Sequence, residues 1–491
     1  MSRLLFCALI LIAASTTMIG QTAGTIDSTF GINGIASSSF SNGLAYGGGV
    51  RQPDGKLIVT GYSDGGFAAA RFTENGVLDS TFGTNGKSIV AIGVRDIPYG
   101  CTLQPDGKLI VVGTSTLDYS DYNFAAIRLN SDGTLDATFG TNGKTVMSYP
   151  GNNEAHAVIV QSDGKILIAG FSDYTSSDPT RIPLLSRLTS NGVFDNTFNN
   201  GNGWSTYTGS ASLGYSTWIY AIALQSDGKI LIGGTSNSTG YGTTFAVFRF
   251  NSTGTMDNTF DWSATRYSDG LSAGGIAYAL AVQLDGKIIA AGVTHDDFYV
   301  CRFNTTGSLD NSFGNSSLGV HTSLTSSNTD RILSCVIQDD GKILVAGAAN
   351  YNFGLARYNS DGTLDNTFGS GGTVVTDLGD YDEVYSVVTT PGDGKIIALG
   401  RSGDNFVAAQ YYGYQQTTTQ PTVQSSSIIS TLATQTTATI RWTKGNGASR
   451  ILIARVDNSV SASPVDGHSY AANAAYGSGT NLGSSNYDVY D

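Results

Sequence analysis

Ala221-Ile-Ala-Leu-Gln-Ser-Asp-Gly-Lys-Ile-Leu-Ile-Gly233 reads as two short apolar strands joined through Asp227-Gly228. Asp-Gly between apolar runs is a strong hairpin signal, since a type I′ turn needs positive φ at both central residues. After a variable loop comes a third strand, Phe245-Ala-Val-Phe-Arg-Phe250, and then more turn chemistry in Asn251-Ser-Thr-Gly-Thr-Met-Asp257. The stretch between the following Phe-Gly motif and the next hairpin supplies a fourth strand, as in Lys144 to Ser148. No window carries a sustained 3.6-residue apolar period, so helix does not compete.

The unit recurs. Asp-Gly-Lys occurs seven times, starting at Asp54, Asp106, Asp163, Asp227, Asp285, Asp340 and Asp393, with spacings of 52, 57, 64, 58, 55 and 53. A second motif, apolar-Asp-x-(Thr/Ser)-Phe, alternates with it at Asp27, Asp79, Asp136, Asp195, Asp257, Asp310 and Asp365. The strand after each hairpin is apolar on both faces, as in Leu109-Ile-Val-Val112 and Ile343-Leu-Val-Ala346. Such a strand must lie between two other layers, and radially stacked blades provide them. A Gly closes this strand in every unit (Gly61, Gly113, Gly170, Gly234, Gly292, Gly347 and Gly400), which points to a tight bend or a close backbone approach. The Asp27 motif precedes the first hairpin, and no such motif follows the last strand, Phe406 to Tyr412. The N-terminal segment therefore supplies what the last unit lacks. The fold class is all-β, a seven-bladed β-propeller of four-stranded blades over residues 24–412. A linear solenoid, which needs caps at both ends, is the alternative.

Composition agrees with an ordered exported protein. Hydrophobic residues are 40% and charged residues 13% of the 491, with 63 Gly and 9 Pro. The formal net charge of −13 excludes nucleic acid as the expected partner, because phosphate binding needs clustered Lys and Arg. Met1-Ser-Arg3 and the apolar run Leu4 to Ala14 form a signal peptide over residues 1–20, and no later segment is apolar enough to span a membrane. The expected address is secreted, extracellular or cell-surface. Cys101, Cys301 and Cys335 remain after its removal. The odd count argues for buried small apolar residues over a disulfide framework, with a Cys301–Cys335 bridge as the alternative.

The signatures Leu135-Asp-Ala-Thr-Phe-Gly140, Gln104-Pro-Asp-Gly-Lys108 and Phe124-Ala-Ala-Ile-Arg-Leu129 resemble the delta-60 repeat of secreted bacterial proteins, which often lack an assigned activity. Asn199 and Asp261 depart from its Gly after Phe, and Pro391 from its Gln. After a polar linker at 413–421, Thr437-Ala-Thr-Ile-Arg-Trp442 and Arg450-Ile-Leu-Ile-Ala-Arg455 resemble strands of a fibronectin type III or immunoglobulin-like sandwich. Residues 422–491 are too few for the ~100 of such a module, so an incomplete one is expected.

No catalytic constellation stands out. Gly61-Tyr-Ser-Asp-Gly65 matches a nucleophile elbow, but it lies between strands where strand–turn–helix is required. His156, His295, His321 and His468 form no zinc-like pair. No cofactor is expected. The turn Asn130 to Asp136 has oxygen side chains around a Gly, as a calcium loop does, but a self-bonded Asx turn explains it as well. Arg71, Arg128, Arg187, Arg249, Arg302 and Arg357 recur at one position, with Gln410 in the last unit, and suit pairing with a motif Asp.

The repeated turns emerge on one face of a propeller and the variable loops on the other, where function is expected. The candidate ligand-binding residues are Asp96, Glu154, Tyr215, Trp218, Asp297, Asp330 and Asp382. Tyr, Trp and Asp together suit a glycan or a protein partner. The expected function is non-enzymatic binding, adhesion or surface scaffolding. The alternative is a carbohydrate-active hydrolase or lyase, which requires carboxylates, or a carboxylate and a His, converging in the central funnel.

Overall fold

The computed structural model describes residues 22–119, 121–175, 178–207, 216–238, 242–261, 275–314, 319–325, 330–390 and 394–414, together with the backbone of 426–433, 438–443, 452–454 and 487–490. Residues 1–20, read from the sequence as a signal peptide, and most of the linker lie outside the described residues. Two compact units are present, one of them formed by Ala23–Thr389 and Lys395–Gly413.

That unit consists of seven antiparallel sheets. Six have four strands, and the sheet of Ser216–Leu224, Ile230–Ser238 and Gly242–Phe250 has three among the described residues. Each sheet begins with an inner strand, such as Arg95–Leu103, followed outward by Leu109–Thr116, Asn123–Leu129 and Lys144–Met147. The last sheet is built from both ends of the unit. Asp382–Thr389, Ile396–Ser402 and Asn405–Tyr411 are completed by Ile35–Ser39, with Ile35 opposite Ala409 and Ser39 opposite Asn405.

Burial shows how the sheets are arranged. Consecutive residues of a second strand enter different cores: Val111 packs with Ile58 and Phe67 of the blade before, Ile110 with Ile166 and Leu184 of the blade after. Seven such cores exist, one for each pair of neighbouring blades, including one between the last blade and the first through Leu57, Phe72, Leu399 and Phe406. Seven sheets in an open row have only six interfaces. The seventh closes a seven-bladed β-propeller and excludes the solenoid. Inner strands also bond across the seam, where Ser386 Oγ donates to the Gly49 carbonyl at 2.8 Å.

The repeated hairpin differs from the expected two-residue turn. Gly228 N–H donates to Gln225 O, Gln225 N–H to Lys229 O, and only Gly228 has positive φ, +81°. This is a three-residue loop, a type I turn followed by a left-handed glycine. The Asp has a different task, accepting the Lys229 N–H on its side chain at 3.1 Å.

The two repeated motifs meet at one buried cluster in each blade. In blade 2, Asp136 Oδ2 takes Arg128 Nε at 2.7 Å and Lys108 Nζ at 2.8 Å. Its Oδ1 accepts the Thr138 hydroxyl at 2.7 Å, and the guanidinium lies 5.0 Å over Phe139. The same pairs recur around Asp79, Asp195, Asp257, Asp310 and Asp365. Asp27 closes the series with Lys395 and Gln410. Each of the six arginines also reaches the next blade, as where Arg128 Nη1 donates to Ser190 O at 2.6 Å. The residue after the motif Phe donates its backbone N–H to the following blade's turn in all seven positions, Asn199 and Asp261 included. That bond needs only a backbone, so those two departures from Gly leave it intact.

The calcium-like turn is an Asx turn, with Asp132 Oδ1 accepting the Thr134 N–H and hydroxyl at 2.9 and 2.6 Å. The elbow-like segment is a hairpin turn with positive φ at Asp64 and Gly65. Cys101, Cys301 and Cys335 are free thiols, so the alternative bridge is absent. In the other unit, Ser426–Ala433 pairs with Ala438–Thr443, and Leu452–Ala454 with Tyr487–Tyr490. Among the described residues no helix is long and apolar enough to cross a membrane.

Burial alone would raise the cluster carboxyls. Hydrogen bonds from Thr and Lys and the charge of the Arg outweigh it and hold Asp79 and Asp365 at about 2. An unfolded Asp titrates near about 3.9. These carboxylates therefore stabilise the fold fully above about pH 5, and the contribution falls away as pH drops towards about 2. Asp136→Asn retains the turn acceptor but leaves Arg128 and Lys108 uncompensated, and it should cost about 3 kcal/mol in urea unfolding at pH 7. That penalty should shrink in a melt series taken down to about pH 3.

Candidate functional site

The seven closing glycines position the site. None has positive φ, so conformational freedom is not why they are Gly. A methyl group at Gly234 would run into the carbonyl oxygen of Trp218, and the same clash arises at Gly61, Gly113, Gly170, Gly292, Gly347 and Gly400. The inner strand thus lies flat on the second strand at one repeated point. The residues at that point form a ring around the axis on the variable-loop side: Leu44, Ile97, Glu154, Trp218, Ile276, Arg331 and Glu383.

Two residues further along, six of the inner strands carry a β-bulge whose extra residue has no pairing partner. The extra residues are Tyr99, His156, Tyr220, Tyr278, Leu333 and Tyr385, and Tyr46 holds the corresponding place in blade 1. Four pairs of neighbouring rings meet from blade to blade, face to face in Tyr99–His156, tilted in Tyr220–Tyr278 and edge-on in the other two. Centroids are 4.2 Å apart for Tyr99–His156, 5.0 Å for His156–Tyr220, 5.1 Å for Tyr220–Tyr278 and 5.9 Å for Tyr385–Tyr46. The inner strands thus carry an aromatic collar with one aliphatic member, Leu333.

Charge divides the mouth into two sides. On one side His156 Nε2 lies 3.3 Å from Glu154 Oε2. Burial would raise the Glu154 carboxyl, but the hydrogen bond and charge of His156, with Arg181, hold it below its ordinary value. Arg181 lies over both Phe171 and Trp218, at 5.1 and 5.4 Å. On the other side, Glu383 is 1% exposed and takes two guanidinium groups, Arg331 Nε at 2.8 Å and Arg401 Nη2 at 3.3 Å, with the Tyr385 hydroxyl donating as well. Arg331 Nη2 also donates to the Tyr381 hydroxyl at 2.8 Å.

A cleft of about 420 Å³ opens beside Arg331, with Tyr278, Val293, Asp296, Asp330, Ala348, Tyr351 and Tyr381 completing its wall. Two hairpin turns contribute to it, His295-Asp296 and Asn350-Tyr351, and all four residues have positive φ (+53°, +62°, +46° and +66°). Left-handed backbone costs a non-glycine residue roughly 1–2 kcal/mol, so these turns are strained where they border the cleft.

The six sequence candidates among the described residues fall into three groups. Glu154 and Trp218 stand next to each other in the mouth ring. Asp297 is on the rim, accepting the Ser323 hydroxyl at 2.7 Å. Asp96, Asp330 and Asp382, read as ligand contacts, prove to be fully buried loop anchors at one repeated position. Asp96 accepts the Ile92 and Gly93 N–H groups, Asp330 those of Leu324, Thr325 and Asn350, and Asp382 that of Leu378. A carboxylate engaged in this way ties down the strand entry and is not free to meet a ligand. Tyr215 lies outside the described residues. The collar was missed, although its register is visible. Tyr99, His156, Tyr220, Tyr278 and Leu333 each precede their hairpin Asp by seven residues (106−99, 163−156, 227−220, 285−278, 340−333), and Tyr46 and Tyr385 precede theirs by eight (54−46, 393−385).

The family described as a domain of unknown function (DUF5122) beta-propeller matches residues 52–82, 104–139, 161–198, 225–260, 283–313 and 338–368. Each matched segment runs from the hairpin turn to the motif Phe of one blade, and the unmatched seventh copy is the one split between the two ends of the ring. The chain is a β-propeller repeat protein. Solved structures similar to this propeller include a catalytically inactive virginiamycin B lyase from Staphylococcus aureus with quinupristin, at 11% identity over 68% of this chain and 88% of that one, TM-score 0.36. YCF48 bound to D1 peptide matches at 9% identity over 82% and 100%, TM-score 0.42, and a glucose dehydrogenase at 12% over 76% and 99%, TM-score 0.39. No curated protein matches the sequence. These likenesses concern the fold alone and say nothing of what this propeller binds.

Gly234→Ala should destabilise the propeller by about 1–3 kcal/mol, as overpacking does. It should also displace Trp218, which a shift in tryptophan emission at fixed folded fraction would report.

Proposed function

We propose that the propeller is an exported, non-enzymatic binding module whose ligand is a glycan, held at the axial mouth on the variable-loop face. The observation that carries this reading is the cleft beside Arg331. Tyr351 is 49% exposed there, on a left-handed residue where glycine would be relaxed, and its ring lies 4.9 Å from that of Tyr381. Strain of this kind persists where the side chain is wanted for something other than stability. A sugar presents one apolar C–H face, suited to tyrosine rings, and hydroxyls suited to Arg331 and Asp296.

A second reading rests on Glu154 and His156. A carboxylate and an imidazole 3.3 Å apart on an inner strand are the elements of an acid–base pair, which a hydrolase or lyase would use on a bound chain. We read the repeats as delta-60 repeats and residues 422–491 as an incomplete fibronectin III-like module. Residues 1–20 are read as the export signal of a secreted or cell-surface protein.

A glycan array probed with the full chain tests the first reading. At least one oligosaccharide should bind, and Tyr351→Ala should weaken it about tenfold, about 1.4 kcal/mol, without lowering the thermal midpoint. An array with no binder, or a variant that binds as well as the parent, sinks the proposal. Product released from a bound glycan, and lost on Glu154→Gln, would favour the enzymatic reading.

A further inference from the structure

The aromatic collar has one aliphatic member, Leu333, and the cleft opens beside it in the chain, between Tyr278 and Arg331. Tyr278 of blade 5 meets the tilted ring of Tyr220 on one side, at 5.1 Å. On the other side, blade 6 offers Leu333 where the other six blades offer Tyr or His. Arg331 and Asp330, the residues two and three before Leu333 on the same chain segment, belong to the cleft wall together with Tyr278. The one aliphatic position of the collar thus lies two residues from Arg331, whose cleft is walled by three tyrosines, that guanidinium, the carboxyls of Asp296 and Asp330, and the apolar Val293 and Ala348.

We infer that this place is a subsite for one neutral pyranose ring, and that Leu333 makes it possible by leaving out the seventh aromatic side chain. The inference rests on the glycan reading above and deepens it. The occupant lays its C–H face against Tyr278, in the place a neighbouring blade's ring takes elsewhere in the collar, and it turns its hydroxyls towards Arg331 and Asp296. Charge selects a neutral ring. Asp296, Asp330 and Glu383 stand against Arg331 and Arg401, so no surplus positive charge awaits an acidic sugar. A cationic ligand would meet the Arg331 guanidinium in the wall.

The test compares full-length parent, Leu333→Tyr and Leu333→Ala by calorimetric titration with maltohexaose, cellohexaose and mannohexaose, and with glucose and mannose. The monosaccharide arms separate a free sugar from a polymer as the source of the ring. The parent should bind one of these probes. Leu333→Tyr should lose at least tenfold in affinity at an unchanged melting temperature, and Leu333→Ala should stay within about threefold of the parent. Should Leu333→Tyr melt early, Leu333→His replaces it, since His already occupies this position at residue 156. Tight binding that survives both collar-filling variants overturns the inference while leaving the glycan reading intact. Tyr351→Ala in the same titration separates the two, because failure of that variant to weaken binding removes the cleft itself as the site. Selective binding of hexuronate oligomers in place of the neutral probes would also overturn it.

Discussion

A buried carboxylate, shared between a lysine and an arginine in six blades and between a lysine and Gln410 in the seventh, holds each blade of this ring together. The sheets themselves are ordinary, and stacked apolar faces could slide past one another. What fixes each blade against the next is the motif Asp, which closes its own turn through Thr or Ser and anchors the third-strand Arg. The outer nitrogen of that Arg then bonds the following blade's turn. Two isolated charges in such a setting would be costly. Here every lone pair of the carboxylate has a donor, and the guanidinium has an aromatic face beneath it. The seventh copy, with Gln410 in place of Arg, retains the lysine and gains the Tyr412 hydroxyl at 2.9 Å.

The ring was legible in the sequence because repetition averages out local ambiguity. One Asp-Gly marks a single hairpin and no fold, but seven at similar spacing, alternating with a second motif, leave few architectures. The apolar faces on both sides of Leu109-Ile-Val-Val112 and the split seventh unit were enough to imply closure. The turn type was misread because Asp-Gly suits both a two-residue and a three-residue loop, and the backbone bond between Gln225 and Lys229 decides between them.

The site was only partly legible, for a reason visible in Asp96 and Glu154. Both are acidic residues near the start of an inner strand, but they point in different directions. Asp96 occupies the position that turns back to bind loop amides, and Glu154, one step further along the repeat, faces the axis. Residue type does not separate these cases, whereas a register counted from the hairpin Asp does. The same count brings out the collar, which is invisible along the chain because its members are dozens of residues apart. What no count supplies is the pairing of Glu383 with two arginines from different strands, which exists only once the blades stand side by side.

Closure by Ile35–Ser39 also has a temporal side. Its partner strand, Asn405–Tyr411, is synthesised some 370 residues later (409−35 for the Ile35 and Ala409 pair), so the first strand to emerge is among the last to find its place. Contacts that distant in sequence form slowly, since the entropy of bringing the ends together comes before any reward. Until then the seam exposes the apolar faces around Leu57 and Leu399 that the closed ring hides. The half-built molecule is therefore stickiest at its join, and a cell that makes it must shield or hurry that one edge.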